Sequence, residues 1–269
     1  MFEFKIQHRD AKTAARTGVF TTPHGDIHTP VFMPVGTLGT VKTLSPDEVK
    51  AAGAEIILAN TYHLYLRRGH ETIAKMGGLH EWTSWDRPIL TDSGGYQVFS
   101  LGMKQKSDTV ERKNQRNIVK IFEDGVEFRS HLDGSKHFLT PKKVIEIQHA
   151  LGADIIMAFD ECAPHDVSHS YAKEAMLRTH RWALECKKTL RELQKNASQK
   201  NRQALFPIIQ GTIYEDLRME SAKFCAELDL PGIAIGGLSV GEERAMLYHI
   251  LEVIQPFLPK NKPRYLMGV

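Results

Sequence analysis

The chain reads as an α/β protein, a (β/α)8 TIM barrel lacking its eighth strand, on three observations. Short β-rich apolar runs recur at 31–35, 55–58, 88–90, 154–159, 205–209, 232–235 and 265–269. Most are separated by helical patterns, and strand alternating with helix is the mark of a parallel sheet. A closed barrel of this class needs eight strands, and about seven runs occur before the chain stops directly after one of them. A flavodoxin-like or dinucleotide-binding sheet needs fewer strands, and no G-x-G-x-x-G follows the first run, which weakens that alternative. A single, incomplete catalytic barrel domain over residues 1–269 is the expectation.

The helix boundaries support the alternation. Ser45-Pro46-Asp47-Glu48 supplies an N-cap, a proline at the first helical position and a glutamate at the third, with Gly53 as the stop. Thr140-Pro141 repeats the device ahead of Val144, Ile145, Ile147, Gln148 and Leu151, with Gly152 closing the helix. Residues 104–120 turn polar and charged, and IFEDGVEF then reads as a hairpin around Asp124-Gly125; together they form an insertion between barrel units. Asp108 and Glu111 dilute the positive charge of 104–120, which favours a solvated loop over a phosphate-contacting arm. A second polar stretch, 194–203, is expected as a solvated loop.

Composition excludes more than it suggests. With 35 Lys+Arg against 32 Asp+Glu the net charge is +3, too mild to mark a nucleic-acid protein, so any RNA contact must come from a local patch. Cys162, Cys186 and Cys225 lie far apart with no C-x-x-C spacing, giving neither a disulfide framework nor a zinc knuckle. The N-terminus lacks an apolar signal region and no long apolar run follows, so a cytoplasmic protein without membrane attachment is expected.

Active sites of parallel barrels lie at the C-terminal ends of the strands, which singles out the polar residues closing each run. They are Asn60-Thr61, Asp92-Ser93-Gly94-Gly95-Tyr96, Asp160-Glu161-Cys162, Gln210-Gly211 and Gly236-Gly237-Leu238. Asp92 is either a functional carboxylate or a turn residue capping amides, and Tyr96 offers a ring for stacking. Asp160 and Glu161 close a strongly apolar strand, where an acid is desolvated for a purpose or paired with a buried cation. Gln210 offers a donor and an acceptor to a heterocycle edge, and the Gly236-Gly237 pair lets backbone approach a ligand. Cys162 reads as a buried structural thiol rather than a nucleophile. His63, His131, His137 and His165 raise the possibility of a metal-dependent hydrolase. The spacing of His24/His28 and His165/His169 argues instead for packed or surface histidines.

Seven motifs, in order, are NTYHL at 60–64, LTDSGGYQVFSL at 90–101, SHLDGS at 130–135, MAFDEC at 157–162, IIQG at 208–211, IGGLSVGE at 235–242 and RYLMGV at 264–269. Together they resemble the bacterial tRNA-guanine transglycosylases (queuine tRNA-ribosyltransferases). These enzymes exchange the wobble guanine of GUN-anticodon tRNAs for preQ1 in queuosine biosynthesis, by double displacement at the ribose. The resemblance implies that Asp92 is the general acid/base, positioned by Asn60, within a substrate-binding loop of Ser93, Gly94, Gly95 and Tyr96. It implies that Tyr96 stacks on the base with Met267 closing the opposite face, and that Asp160 reads the N–H edge. Gln210 and the Gly237 amide would bind the base carbonyl, the Leu238 carbonyl the aminomethyl group of the incoming base, and Gly268 and Val269 the RNA. Cys162, supporting the pocket, and Val240 match the bacterial pattern that implies preQ1 rather than queuine.

The resemblance also implies elements that the chain does not contain. The nucleophilic aspartate, the Cys/His zinc ligands and basic anticodon-loop residues fall beyond Val269, so no Zn2+ is expected on the residues present, and this chain alone is expected to be unstable or inactive. Homodimerisation is expected of the complete enzyme. Two other classes stay open on the residues: a non-catalytic barrel that binds tRNA or a partner, and the metal-dependent hydrolase.

Overall fold

A computed structural model describes residues 2–100, 119–198 and 201–269. The charged insertion at 104–120 therefore lies outside the described residues except for its last two positions.

The chain opens on an antiparallel meander, β1 (Glu3–Arg9), β2 (Arg16–Thr22) and β3 (Gly25–Thr29). The 31–35 run, expected as the first barrel strand, forms no strand. Pro34 withdraws a donor from it and Pro30 another from the position just ahead, Phe32 is 71% exposed, and only Val35 makes a parallel bridge, to Leu58. Next come α1 (Pro46–Ala51), β4 (Ile57–Ala59), three short helices α2 (Thr61–Arg67), α3 (His70–Lys75) and α4 (Gly78–Thr83), and β5 (Ile89–Thr91). The capping box of α1 is as expected: Ser45 Oγ accepts from Glu48 N at 3.3 Å, and the Glu48 carboxylate accepts from Ser45 N at 2.8 Å.

The hairpin expected around Asp124-Gly125 is β6 (Val119–Phe122) against β7 (Gly125–Arg129), extended by β8 (Lys136–Leu139) into a second meander. Thr140 caps α5 (Pro141–Leu151) and left-handed Gly152 ends it. After β9 (Ile155–Met157) and the long α6 (His169–Leu193), the expected 205–209 strand appears as two, β10 (Ala204–Phe206) and β11 (Ile208–Ile209). Pro207, without an N–H, marks the switch. Up to Phe206 the run pairs with β9; beyond it the run pairs with β12 (Ile233–Ile235), which follows α7 (Glu215–Glu227). The described chain closes with α8 (Arg244–Ile254) and β13 (Arg264–Leu266).

Apart from the β6-β7-β8 meander, every neighbouring pair from β4 to β13 is parallel, in the order β4-β5-β9-β10 and β11-β12-β13. Alternate residues enter two cores. Ile57, Ile89 and Ile156 pack toward the helices with Val144 and Trp182, whereas Leu58, Leu90, Ile155 and Phe206 pack on the opposite face with Phe20 and Ile27 of the meander. Burial on both faces is why these strands read as uninterrupted apolar runs. The 194–203 stretch departs from its expected solvation at one end, where Gln203 is buried and donates to the carbonyls of Gln148 and Ala153. No helix among the described residues is long and apolar enough to cross a membrane.

Asp154, immediately before β9, ties this framework together at the N-terminal ends of the strands. Its oxygens accept from Ile89 N at 2.9 Å and His24 N at 3.3 Å, and meet His24 Nδ1 at 2.8 Å and His80 Nε2 at 3.1 Å. Burial alone would raise this carboxyl, but the bonds from His24 and His80 outweigh it and hold it at about 2. A depressed carboxyl stabilises the fold above its ordinary 3.8, and that contribution fades as pH falls through about 2. Asp154→Ala leaves four donors without an acceptor and should destabilise by about 3 kcal/mol. Thermal melts at pH 7 and pH 2 should show the gap between variant and wild type shrinking at the acid end; an equal gap at both would remove the linkage.

Candidate active site

Parallel strands in one sheet end on one side, so the polar residues that close them must converge. They border a single cavity of about 320 Å³. Asn60 reaches it from the end of β4, Asp92 and Ser93 from β5, and Asp160 and Cys162 from beyond β9. Gln210 enters from β11, Gly237 and Leu238 from β12, and Met267 and Gly268 from β13, with half-exposed Tyr96 at the rim. Gly94 and Gly95 lie behind this wall. The Gly94 amide donates to Asp92 Oδ1 at 3.2 Å, and a Cβ on Gly95 would come within 2.7 Å of the Asp160 carbonyl, so that contact admits only glycine. Val269, 71% exposed, is not among the residues that border the cavity.

Two carboxylates dominate the interior, and among the described residues neither has a cationic partner. Asp92 accepts from Asn60 Nδ2 and Gln97 Nε2 on one oxygen and from the amides of Thr61 and Gly94 on the other. Burial raises its pKa against those four donors. Asp160 accepts from Ser93 Oγ at 2.8 Å and Gln210 Nε2 at 2.7 Å. Burial pushes it up to about 6 despite these bonds, and the charges of Asp92 and Glu161 push the same way. Two desolvated acids in one cavity suit a ligand that brings its own donors.

The sequence left two outcomes for the acidic pair, and the structure realises one at each position. Asp160 faces the cavity. Glu161, its neighbour, is buried on the other side against the Arg178 guanidinium and accepts from the Tyr171 hydroxyl at 2.7 Å. Burial pushes the Cys162 thiol up to about 12, so at neutral pH it is a neutral wall and no nucleophile. All three cysteines are free and buried. His131 bonds Tyr62, His137 bonds Tyr65 and Ser135, and His28 and His169 pair with Glu55 and Asp216.

Sequence reasoning missed Gln97, Tyr265, Leu58 and Ser239 in the cavity wall. Gln97 lies in the same motif as Asp92, and the helical turn over 95–100 carries its amide back onto the carboxylate. Only the apolar-polar contrast of LTDSGGYQ hinted at it.

A zinc ion finds no fitting ligand set among the described residues. The one three-residue cluster is His24, His80 and Asp154. Its imidazoles stack with centroids 3.5 Å apart at 18°, each nitrogen on a different carboxylate oxygen. Near-parallel stacked rings cannot aim both lone pairs at one tetrahedral ion.

With this geometry in hand, similarity to known proteins is decisive. Residues 10–269 match the family model described as TGT: Queuine tRNA-ribosyltransferase. The chain belongs to that family. It is 55% identical over 267 residues to a queuine tRNA-ribosyltransferase of Thermoanaerobacter sp. (strain X514), covering 99% of this chain and 66% of the relative. The corresponding protein of Herpetosiphon aurantiacus is 56% identical over 268 residues, covering 100% of this chain and 62% of the relative. The chain thus spans about two thirds of the length of these curated relatives. Family membership sets aside the metal-dependent hydrolase that the histidine count had left open.

Proposed function

We propose that the cavity is the base pocket of a tRNA-guanine transglycosylase, and that this chain supplies its base-recognition and acid/base groups on an incomplete (β/α)8 barrel. The observation that carries the reading is the pair of uncharged-partner carboxylates, Asp92 and Asp160, facing one cavity beside Gln210 and the Gly237 backbone. A guanine edge presents N–H donors next to a carbonyl oxygen, and the pocket presents an acceptor next to donors. Asp160 takes the N–H edge. Gln210 already spends one amide hydrogen on Asp160 and keeps a second for the base oxygen, alongside the Gly237 N–H. Tyr96 and Met267 offer the two faces between which a planar base lies, and the Leu238 carbonyl meets the aminomethyl group of preQ1.

The reaction is displacement at C1′ of the wobble nucleoside. An attacking carboxylate, in this reading supplied by the protein beyond residue 269, takes C1′ while the C1′–N9 bond breaks and guanine leaves as its N9 gains a proton. The incoming base then gives up its N9 proton and takes C1′ back. Asp92, held by Asn60, Gln97 and two amides, is the group that handles that proton. In this reading Gly268 and Val269 lie along the bound RNA. The eighth strand, the zinc ligands and much of a homodimer interface belong, in this reading, to the rest of the protein.

The test is incubation of the full-length protein with labelled guanine and tRNA bearing a GUN anticodon. Label should enter the wobble position and be displaced by preQ1. Absence of label in the tRNA, with folded protein, rejects the reading.

A further inference from the structure

Behind the cavity wall stands a buried cation that the reaction as described does not use. Arg218, in the first turn of α7, is fully buried, and its guanidinium serves only carbonyl oxygens. Nε donates to Thr212 O at 2.6 Å, Nη1 to Ile209 O at 3.2 Å and Gly236 O at 2.6 Å, and Nη2 to Gly237 O at 2.7 Å. Among the described residues no carboxylate forms an ion pair with it, and its hydrogen-bond acceptors are these four backbone carbonyls. Burial lowers its pKa to about 10, which leaves it charged at neutral pH.

Three of the four carbonyls belong to the two loops that leave neighbouring strands β11 and β12, the fourth being that of Ile209 at the end of β11 itself, and each loop serves the cavity. One carries Gln210, the other Gly237 and Leu238. Thr212 is left-handed at φ 52 and its buried hydroxyl has no partner among the described residues, and Gly237 is left-handed at φ 62, a conformation glycine takes freely. A Cβ on Gly237 would lie 2.2 Å from Gln210 Oε1 and 3.1 Å from Arg218 Nη2, so the backbone is pressed between the two side chains.

A trans peptide points its C=O and its N–H in opposite directions. Because the Gly236 carbonyl is drawn onto Arg218, the N–H of the same peptide, that of Gly237, is turned away from the guanidinium. Because a charged donor polarises the amide it binds, that N–H also becomes a stronger donor. We propose that Arg218 is a positioning residue for the carbonyl edge of the bound base, orienting and polarising the Gly236–Gly237 peptide and locking the Gln210 loop beside it. The inference rests on the base-pocket reading above and adds to it the origin of carbonyl recognition.

The experiment compares the affinity of the full-length protein for guanine and for 6-thioguanine by calorimetry. The analogue keeps every N–H of guanine and replaces the oxygen with sulfur, a weak acceptor. Wild type should prefer guanine by about tenfold, the value of one good hydrogen bond. Arg218→Met should reduce that preference to below about twofold, and Arg218→Lys, which keeps the charge but cannot bridge both loops, to about threefold. Loss of affinity for both bases in equal proportion, with the preference intact, would show a mere buttress and overturn the proposal. So would a wild type that does not distinguish the two bases. Should the Met variant fail to fold, the Lys variant decides alone, an unchanged preference overturning the proposal. A wild type that binds neither base rejects the base-pocket reading itself, and this inference with it.

Discussion

Asp92→Asn should slow guanine exchange by the full-length protein by about 10³-fold while leaving guanine affinity within about threefold of wild type. The asymmetry follows from what surrounds the carboxylate. Four donors point at it, two on each oxygen, so an amide in its place turns its NH2 toward hydrogens. Gln97 can relieve that clash, because its Oε1 is buried without a partner among the described residues and a flip of its amide would offer an acceptor where it now offers a donor. The pocket should therefore persist without a group able to trade protons. The pH dependence separates chemistry from shape. Burial raises the Asp92 pKa, so the wild-type rate should bend where this group titrates, and the residual rate of the variant should be flat over the same range. Exchange within tenfold of wild type, or an unchanged bend, would remove Asp92 from the reaction.

Asp160→Asn should move stability and binding in opposite directions. A carboxyl raised from 3.8 to about 6 holds its proton more tightly folded than unfolded. Its contribution is complete below 3.8 and is lost as pH rises through about 6, so at neutral pH the ionised, buried Asp160 opposes folding. Integrated over that interval the penalty is about 3 kcal/mol; an amide escapes it, keeping its oxygen toward Gln210 Nε2 and turning its NH2 to the Ser93 hydroxyl, which must then accept rather than donate. A net gain of about 1–2 kcal/mol at pH 7.5 is expected, shrinking to nothing near pH 4. Base binding should fall by about 100-fold, because an N–H edge then meets an amide instead of an anion. In the wild type, guanine affinity should weaken as the pH drops below about 6. A variant that is less stable than wild type at pH 7.5 yet binds guanine normally would contradict both halves.

The sequence carried the pocket further than it carried the fold's entrance. Asp92, Asp160, Gln210 and Gly237 were legible because each ends an apolar run, and the rule that parallel strands finish on one side needs no coordinates. Helices α1 and α5 were legible because their caps are local, Ser45 with Glu48 and Thr140 with Lys143. The first meander was not. Its strands alternate apolar with charged or polar residues, as in EFKIQHR, and the partner that buries Phe20 lies far along the chain. The 31–35 run misled in the other direction: its residues have strand propensity, but the two prolines matter more than propensity in a strand that must donate. Gln97 and Arg218 escaped for a common reason. Arg218 sits in EDLRMES, which reads as a charged helix face, and its burial comes from loops that no periodicity links to it.

The contact between the meander and the parallel strands also sets a clock on synthesis. The ring centroids of Phe20 and Phe206 lie 6.0 Å apart, yet at ordinary translation rates of 5–20 residues per second the second ring leaves the ribosome roughly 10–40 s after the first. A three-stranded unit whose own pairings are all local closes within microseconds. Until Leu58, Leu90, Ile155 and finally Phe206 have followed, it presents Phe20 and Ile27 on an incompletely covered face, the surface a nascent-chain chaperone would meet first.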